Sequence, residues 1–352
     1  MTAYLHAIGT AVPPLDVHEY FIAWARRRLT GTREAALFDR MAKRAGIAHR
    51  WSVLPEGLDP TAATGLYEAD RWPGTAARMA IYAQAAPVLA LRAIDDLATK
   101  QSLDGITHLV VASCTGFVAP GIDQIIAAKL GLPPSTERTL IGFMGCYAAV
   151  AALRTARHIV RSEPSAKVLV VTVELSTLHL QATSDLEALL AMLQFGDGAA
   201  AGLVTGEQGG FALGSTFATT LPDSAELIRW DVTDHGFAMH LSGEVPGRIA
   251  AALADRDFVR AITGGMPPAD IDGWAVHAGG RSILDAVERS LNVPEQALAA
   301  SRETLWENGN MSSSTLMFVL ARLLEGPPVS QGVALAFGPG LAAEGFRFAS
   351  AA

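Results

Sequence analysis

The chain has 352 residues, 50% of them hydrophobic and 18% charged, with a formal net charge of -8. That length can bury a large core as two domains or two fused halves, and an acidic chain without a basic stripe is no nucleic-acid binder. The only cysteines, Cys114 and Cys146, exclude a disulfide framework and a Cys-rich metal site.

Residues 1–14 read as a first strand ending at Pro13-Pro14, not as a signal peptide. The longest apolar runs are strand-sized and too short to span a bilayer, so the cytoplasm is the expected location. Ile106–Ala112 predicts a buried strand and Ile122–Leu130 a helix. Thr139–Phe143 predicts a second strand, and Cys146–Arg161 a helix of small residues with a basic end. Val168–Val173 and Ala199–Val204 are further strands. The second half repeats this alternation. Ile271–Ala275 leads to His277, helices follow over Ser282–Leu291 and Met311–Leu324, and strands over Gly332–Phe337 and near Phe346–Phe348.

Such a pattern predicts an α/β fold. No low-complexity linker separates the halves, and the glycines Gly206, Gly209 and Gly210 mark the best boundary. One unit with an internal pseudo-repeat is expected, residues 1–207 carrying Cys146 and residues 208–352 carrying His277 and Asn310. P-loop, HExxH, paired CxxC and GxSxG motifs are absent. Gly338-Pro339-Gly340 reads as a turn, because its proline removes a donor that a phosphate loop needs.

Cys146 follows a strand and a Met-Gly turn and opens a helix, where the dipole favours thiolate. Taken alone, it reads as a small buried core residue. His277 ends a strand before Gly279-Gly280; Asn310, before an apolar helix, is by itself an N-cap candidate. Together they form a different pattern. Cys and His give an activated nucleophile, and His with an Asn amide gives two donors for one carbonyl oxygen.

Four segments in register carry a family resemblance: Gly142-Phe143-Met144-Gly145-Cys146-Tyr147-Ala148-Ala149, Val276-His277-Ala278-Gly279-Gly280, Gly309-Asn310-Met311-Ser312-Ser313 and Phe337-Gly338-Pro339-Gly340. The chain resembles the chalcone synthase-like type III polyketide synthases. The resemblance implies a thiolase fold with five αβαβα layers and two pseudo-repeated halves. It further implies a homodimer using malonyl-CoA and a starter acyl-CoA, with no acyl carrier protein, metal or redox cofactor. Cys146 would be the acyl-accepting nucleophile, with His277 and Asn310 as its donor pair. Phe195 matches one gate phenylalanine of the family; the second gate falls on Met239, a departure that softens it. Arg40 and Arg44 match a basic helix segment for CoA phosphates, with Leu37 where a lysine is common, and a solvated basic face is the alternative reading. Gly279 would lie against the pantetheine arm.

Wall positions map to Cys114, Thr115, Ser176, His179 and Ser312, and Ala119 matches a loop residue reaching the partner's cavity. Cys114 is a wall residue, a second acyl acceptor or simply buried; the sequence leaves this open. Trp230 stands where plant members carry a small residue, so its ring shortens the expected elongation chamber. A small pyrone or resorcinol-type product is the expectation. Two other readings share the fold: an initiating ketoacyl-acyl-carrier-protein synthase, and a non-catalytic dimeric thiolase-like subunit.

Overall fold

Alternating apolar faces build this molecule in layers. The computed structural model describes residues 1–55, 65–67 and 72–351. The chain begins with β1 (Ala3–Ala11), β2 (Leu15–Asp16), α1 (His18–Arg28), α2 (Glu34–Arg44), β3 (Trp51–Ser52) and the long α3 (Thr75–Lys100). Then come β4 (His108–Ser113), α4 (Ile122–Lys129), β5 (Glu137–Gly142), α5 (Ala148–Ser162), β6 (Val168–Leu175), α6 (Leu186–Met192) and β7 (Asp197–Thr205). The second half opens on β8 (Phe211–Thr220), the hairpin of β9 (Ile228–Thr233) and β10 (Gly236–Leu241), α7 (Val245–Ala254), α8 (Arg256–Thr263) and β11 (Gly273–Val276). It continues through α9 (Arg281–Leu291), α10 (Ala299–Asn308), α11 (Ser313–Glu325), β12 (Gly332–Gly338) and β13 (Ala342–Ser350).

Nine strands join edge to edge in the order β11-β12-β13-β8-β1-β7-β6-β4-β5. The strands β6 and β12 are buried throughout, and their side chains alternate between faces. Val168 and Val170 of β6 pack inward with Ala334 and Ala336 of β12, against the central helices α5 and α11. Leu169 and Val171 face the opposite way, onto α3. Val333 and Leu335 of β12 face α7 and α9. The layers therefore run α3, first-half strands, α5 with α11, second-half strands, and outer helices. This five-layered α/β arrangement is the thiolase fold that the family resemblance implies.

Glycine lets two of these layers touch. A Cβ added at Gly9 in β1 would overlap the backbone at Ala93 and Leu97 of α3. The parallel pairing of β5, β4 and β6 brings the residues just past their carboxyl ends to one place: Phe143, Cys114 and Ser176. β11 and β12 are also parallel, and they deliver His277 and Gly338 from the other half.

Two helix starts differ from the sequence expectation. Cys146 lies in a separate single turn of 3-10 helix, Gly145–Tyr147, before α5 begins at Ala148. The helix expected from Met311 begins at Ser313, because Ser312 takes a positive φ of 48° and the Met311 amide donates to Thr315 Oγ1. Gly9→Ala should lower stability by about 1–3 kcal/mol or more through backbone overlap. A urea titration that leaves the midpoint unchanged would show that α3 can move away from β1.

Candidate active site

Strained backbone surrounds Cys146. Phe143 (φ 55°), Ser312 (φ 48°) and Leu341 (φ 47°) all adopt the left-handed region, which non-glycine residues hold only at a cost of about 1–3 kcal/mol each. Gly145 has φ 68°, and a Cβ there would overlap the ring of Pro339. A Cβ on Gly338 would strike Tyr147 and approach the Cys146 amide. Gly338-Pro339-Gly340 is thus a turn, as read from the sequence, and also the surface against which the Cys146 turn is pressed.

Cys146 lines a pocket of about 20 Å³ with Cys114, Phe195, Trp230, Met239 and Ser312. The Ser312 hydroxyl lies 3.9 Å from its sulfur and 3.2 Å from that of Cys114. The Asn310 side chain also favours the Cys146 thiolate, drawing its pKa down. Its orientation is set by its own neighbours: the Ser312 amide donates to Oδ1 at 2.8 Å, so Nδ2 is the donor end, giving a 3.2 Å bond to the Gly279 carbonyl. Asn310 is therefore not the cap of α11; Ser312 occupies that position.

His277 follows β11, its amide donating to Leu335 O at 2.8 Å, and it is 2% exposed. Neither ring nitrogen has a partner among the described residues. A Cβ on Gly279 would crowd Ile283 at 3.0 Å and come into ordinary contact with this ring. The expected low thiol pKa is not what the structure produces. Burial pushes the Cys146 thiol up to about 12, with the Ser312 and Asn310 hydrogen bonds pulling the other way. Burial also pulls His277 down to about 3. A short 3-10 turn supplies little dipole, and desolvation outweighs it.

The cavity wall contains a group that the motifs do not reveal. Glu174, fully buried at the end of β6, accepts from the Cys114 amide and thiol, from Thr115 Oγ1 at 2.8 Å and from Ser313 Oγ. Its one signal in the sequence is a lone acid in the apolar run Val168–Leu175. Desolvation and the Glu174 charge hold the Cys114 pKa well above the usual thiol range. Cys114 is thus a buried wall residue whose thiol donates to Glu174. Thr115 turns its hydroxyl to Glu174 and is not part of the pocket lining.

His179 is a strut. Its Nε2 donates to Thr115 O at 2.6 Å and its Nδ1 accepts from the Phe237 amide at 3.0 Å, which fixes a neutral tautomer, and burial pulls its pKa down to about 3. Its ring stacks on Phe237 at 4.2 Å. Phe237, which no sequence motif marks, also meets Phe117, Phe143 and Trp230. Trp230 and Met239 pair across β9 and β10, so both stand in one wall with Phe195.

A cleft of about 1050 Å³ opens beside this wall, lined by Arg44, Gln194, Gly279, Gly280 and Arg281 among others. Arg40 is exposed but outside that lining, whereas Arg281, not expected from the sequence, is part of it. Asp185, Glu187 and Asp285 share the cleft, so its charge is mixed. Ala119 is exposed on the loop after β4 and lines neither the pocket nor the cleft. The group His108, Glu137 and Glu163, whose ligand atoms lie within 4.8 Å of one another, is at the opposite end of β4 from Cys146. No helix among the described residues is long and apolar enough to cross a membrane.

Comparisons with known proteins agree with this geometry. The model for the chalcone and stilbene synthase N-terminal domain matches residues 1–208, and that for the C-terminal domain matches residues 212–352. The alpha-pyrone synthesis polyketide synthase-like Pks18 of Mycobacterium tuberculosis is 37% identical over 269 residues, 71% of this chain and 68% of its own length. PKS-I from the brown alga Ectocarpus siliculosus has a similar structure, with TM-score 0.88 and 28% identity over 99% of this chain and 98% of that one. The 1,3,6,8-tetrahydroxynaphthalene synthase of Streptomyces coelicolor A3(2), a bacterial type III polyketide synthase, gives TM-score 0.87 and 29% identity over 99% of both chains.

Alkylation separates the two thiols. Iodoacetamide should modify Cys146 and spare Cys114, whose proton is held against Glu174. In His277→Ala the rate should fall about tenfold or more, the loss expected for each unit of raised thiol pKa. Peptide mapping with label on Cys114, or an unchanged rate in the variant, would count against the arrangement.

Proposed function

The chain belongs to the chalcone and stilbene synthase family and is a type III polyketide synthase, and on that premise we propose that it extends a CoA-linked starter with malonyl units through a thioester on Cys146. The observation that carries this reading is the buried Cys146 thiol, 3.9 Å from the Ser312 hydroxyl and drawn toward thiolate by Asn310, together with the unpartnered ring of His277. Two opposed costs make the pair work. A thiolate alone is unfavourable in this pocket, and so is an imidazolium alone. Moving the Cys146 proton to His277 forms both ions at once, so each offsets the other's desolvation.

The thiolate attacks the starter carbonyl, and CoA leaves with the proton that His277 returns. Malonyl-CoA then loses carbon dioxide, and its thioester oxygen takes the negative charge. His277 and the Nδ2 of Asn310 donate to that oxygen. The enolate carbon attacks the Cys146 thioester, and Cys146 departs as thiolate while the lengthened chain stays on CoA. Transfer back to Cys146 begins the next round.

We assign CoA to the 1050 Å³ cleft, with Arg44 and Arg281 near its phosphates, Arg40 a more distant charge, and the pantetheine arm beside Gly279. Phe195 and Met239 form the gate. The 20 Å³ pocket and the Trp230 ring support few extensions and a small product, either an α-pyrone or a resorcinol-type phenol. The name of the mycobacterial relative favours the pyrone. We further take residues 1–207 and 208–352 as the two halves, the cytoplasm as the location, and free CoA thioesters as substrates without acyl carrier protein, metal or redox cofactor.

A homodimer is part of this reading. β5 is an edge strand with mostly exposed residues, and Leu140 (43%), Phe143 (40%) and Phe117 (53%) leave apolar surface beside Ala119. An open edge of this kind needs a cover. A second copy placed there would bring Ala119 toward the partner's cavity.

Asn310→Ala should slow malonyl-CoA decarboxylation by about 10²–10³-fold, the usual loss for one oxyanion donor, with a smaller effect on acylation of Cys146. An unchanged decarboxylation rate would leave Asn310 only its backbone-orienting role. Trp230→Gly should shift products to longer ketides or bulkier starters, read as product masses, and identical masses in identical ratios would remove Trp230 from the chamber. Sedimentation should give a dimer, and a stable active monomer would refute the β5 interface.

A further inference from the structure

A second cavity, of about 80 Å³, lies on the far side of the Phe195, Trp230 and Met239 wall from Cys146. Its lining is mainly apolar and rich in rings, with Tyr20, Phe21, Tyr67 and Phe237 beside the shared Phe195 and Trp230. Three lining residues nevertheless carry buried polar atoms without a partner among the described residues: a terminal guanidinium nitrogen of Arg50, the Ser176 hydroxyl and the indole nitrogen of Trp230. Arg50 is 2% exposed and Ser176 7%.

The rest of Arg50 is fully engaged. Its Nε donates to His18 Nδ1 at 3.0 Å, and its other terminal nitrogen donates to the carbonyls of Met192 and Phe195 at 3.0 and 2.9 Å. None of these partners carries charge. Asp16 and Asp197 act on Arg50 only through space. Each is occupied elsewhere: Asp16 accepts from the His18 and Arg50 amides and contacts the His49 ring, while Asp197 accepts from Val53, the Thr177 amide and the Thr177 hydroxyl. Burial brings the Arg50 pKa down only to about 10, so the group remains cationic at neutral pH. A buried cation with one unused donor, and no charged group among the described residues in contact with it, is costly unless an anion joins it.

We propose that this rear cavity binds a compact, apolar carboxylic acid, its carboxylate held by Arg50 with help from Ser176 and Trp230 and its hydrocarbon part among the aromatic rings. A carboxylate accepts only, and its two oxygens suit three donors better than a neutral carbonyl would. A phosphate would need more donors than this lining provides. The small volume limits the ligand to roughly one ring or a short chain. A starter thioester is neutral at its activated carbon, so the site selects the free starter acid over its activated form. Acid bound there would press on Phe195, whose carbonyl Arg50 already holds.

Titration calorimetry on the purified full-length chain, without CoA thioesters, tests this independently of the chemistry at Cys146. Benzoate should bind saturably at one site per chain, and benzyl alcohol at least about tenfold more weakly, as expected for loss of charge-assisted hydrogen bonds. Ala188→Phe, which fills the cavity, should abolish benzoate binding, and Ser176→Val should weaken it several-fold. Arg50→Gln should lose it as well; because Arg50 also anchors Met192 and Phe195, the acid-against-alcohol comparison on the unaltered chain decides if that variant misfolds. Equal affinity for benzyl alcohol, no saturable binding, or wild-type affinity in a folded Ala188→Phe would overturn the proposal.

Discussion

A carboxylate with no access to water must be met by donors from whatever surrounds it, and Glu174 organises the site through that requirement. Its acceptors draw the Cys114 loop after β4 and the first turn of α11 onto the end of β6. The segment carrying Ser313 also carries Asn310 and Ser312, so meeting Glu174 fixes the two groups that touch Cys146. Desolvation raises the Glu174 pKa and its four donor contacts lower it again. Such a network is stable only when complete. Removing one member would leave buried donors unsatisfied and loosen both halves of the fold at their meeting point.

Dryness then governs the chemistry. In water a thiol and an imidazole titrate near neutrality; here burial drives Cys146 and His277 in opposite directions, each toward its neutral form. Each of these two side chains therefore rests neutral. Little solvent has to reorganise when the enolate forms, because little is present in so small a pocket.

The layers and the turn that carries Cys146 are legible in the sequence because those features are local. Strand periodicity in Val168–Val173 and Gly332–Phe337, and the glycine beside each of Cys146, His277 and Asn310, can be read a few residues at a time. The long helix α3 escapes such a reading, since its alanines blur the apolar stripe and Pro87 interrupts it. The helix dipole at Cys146 is weaker than expected because a positive φ at Gly145 and a 3-10 turn look like a helix start in sequence. Glu174, Phe237 and Arg50 depend on contacts with residues distant along the chain. A single sequence shows only that a charged or aromatic side chain sits in unexpected company.

The aromatic chain has a consequence for altering what this protein makes. Phe117 is more than half exposed, yet it stacks on buried Phe237, which in turn stacks on His179 and meets Trp230 at the cavity wall. Rings in such a row have little freedom to move separately. The shape of the interior is thus partly held from outside, by a side chain at the surface. Engineering of product range need not begin with residues that touch the growing chain; Phe117, one ring removed and on the face given to the second copy, has purchase on the same wall.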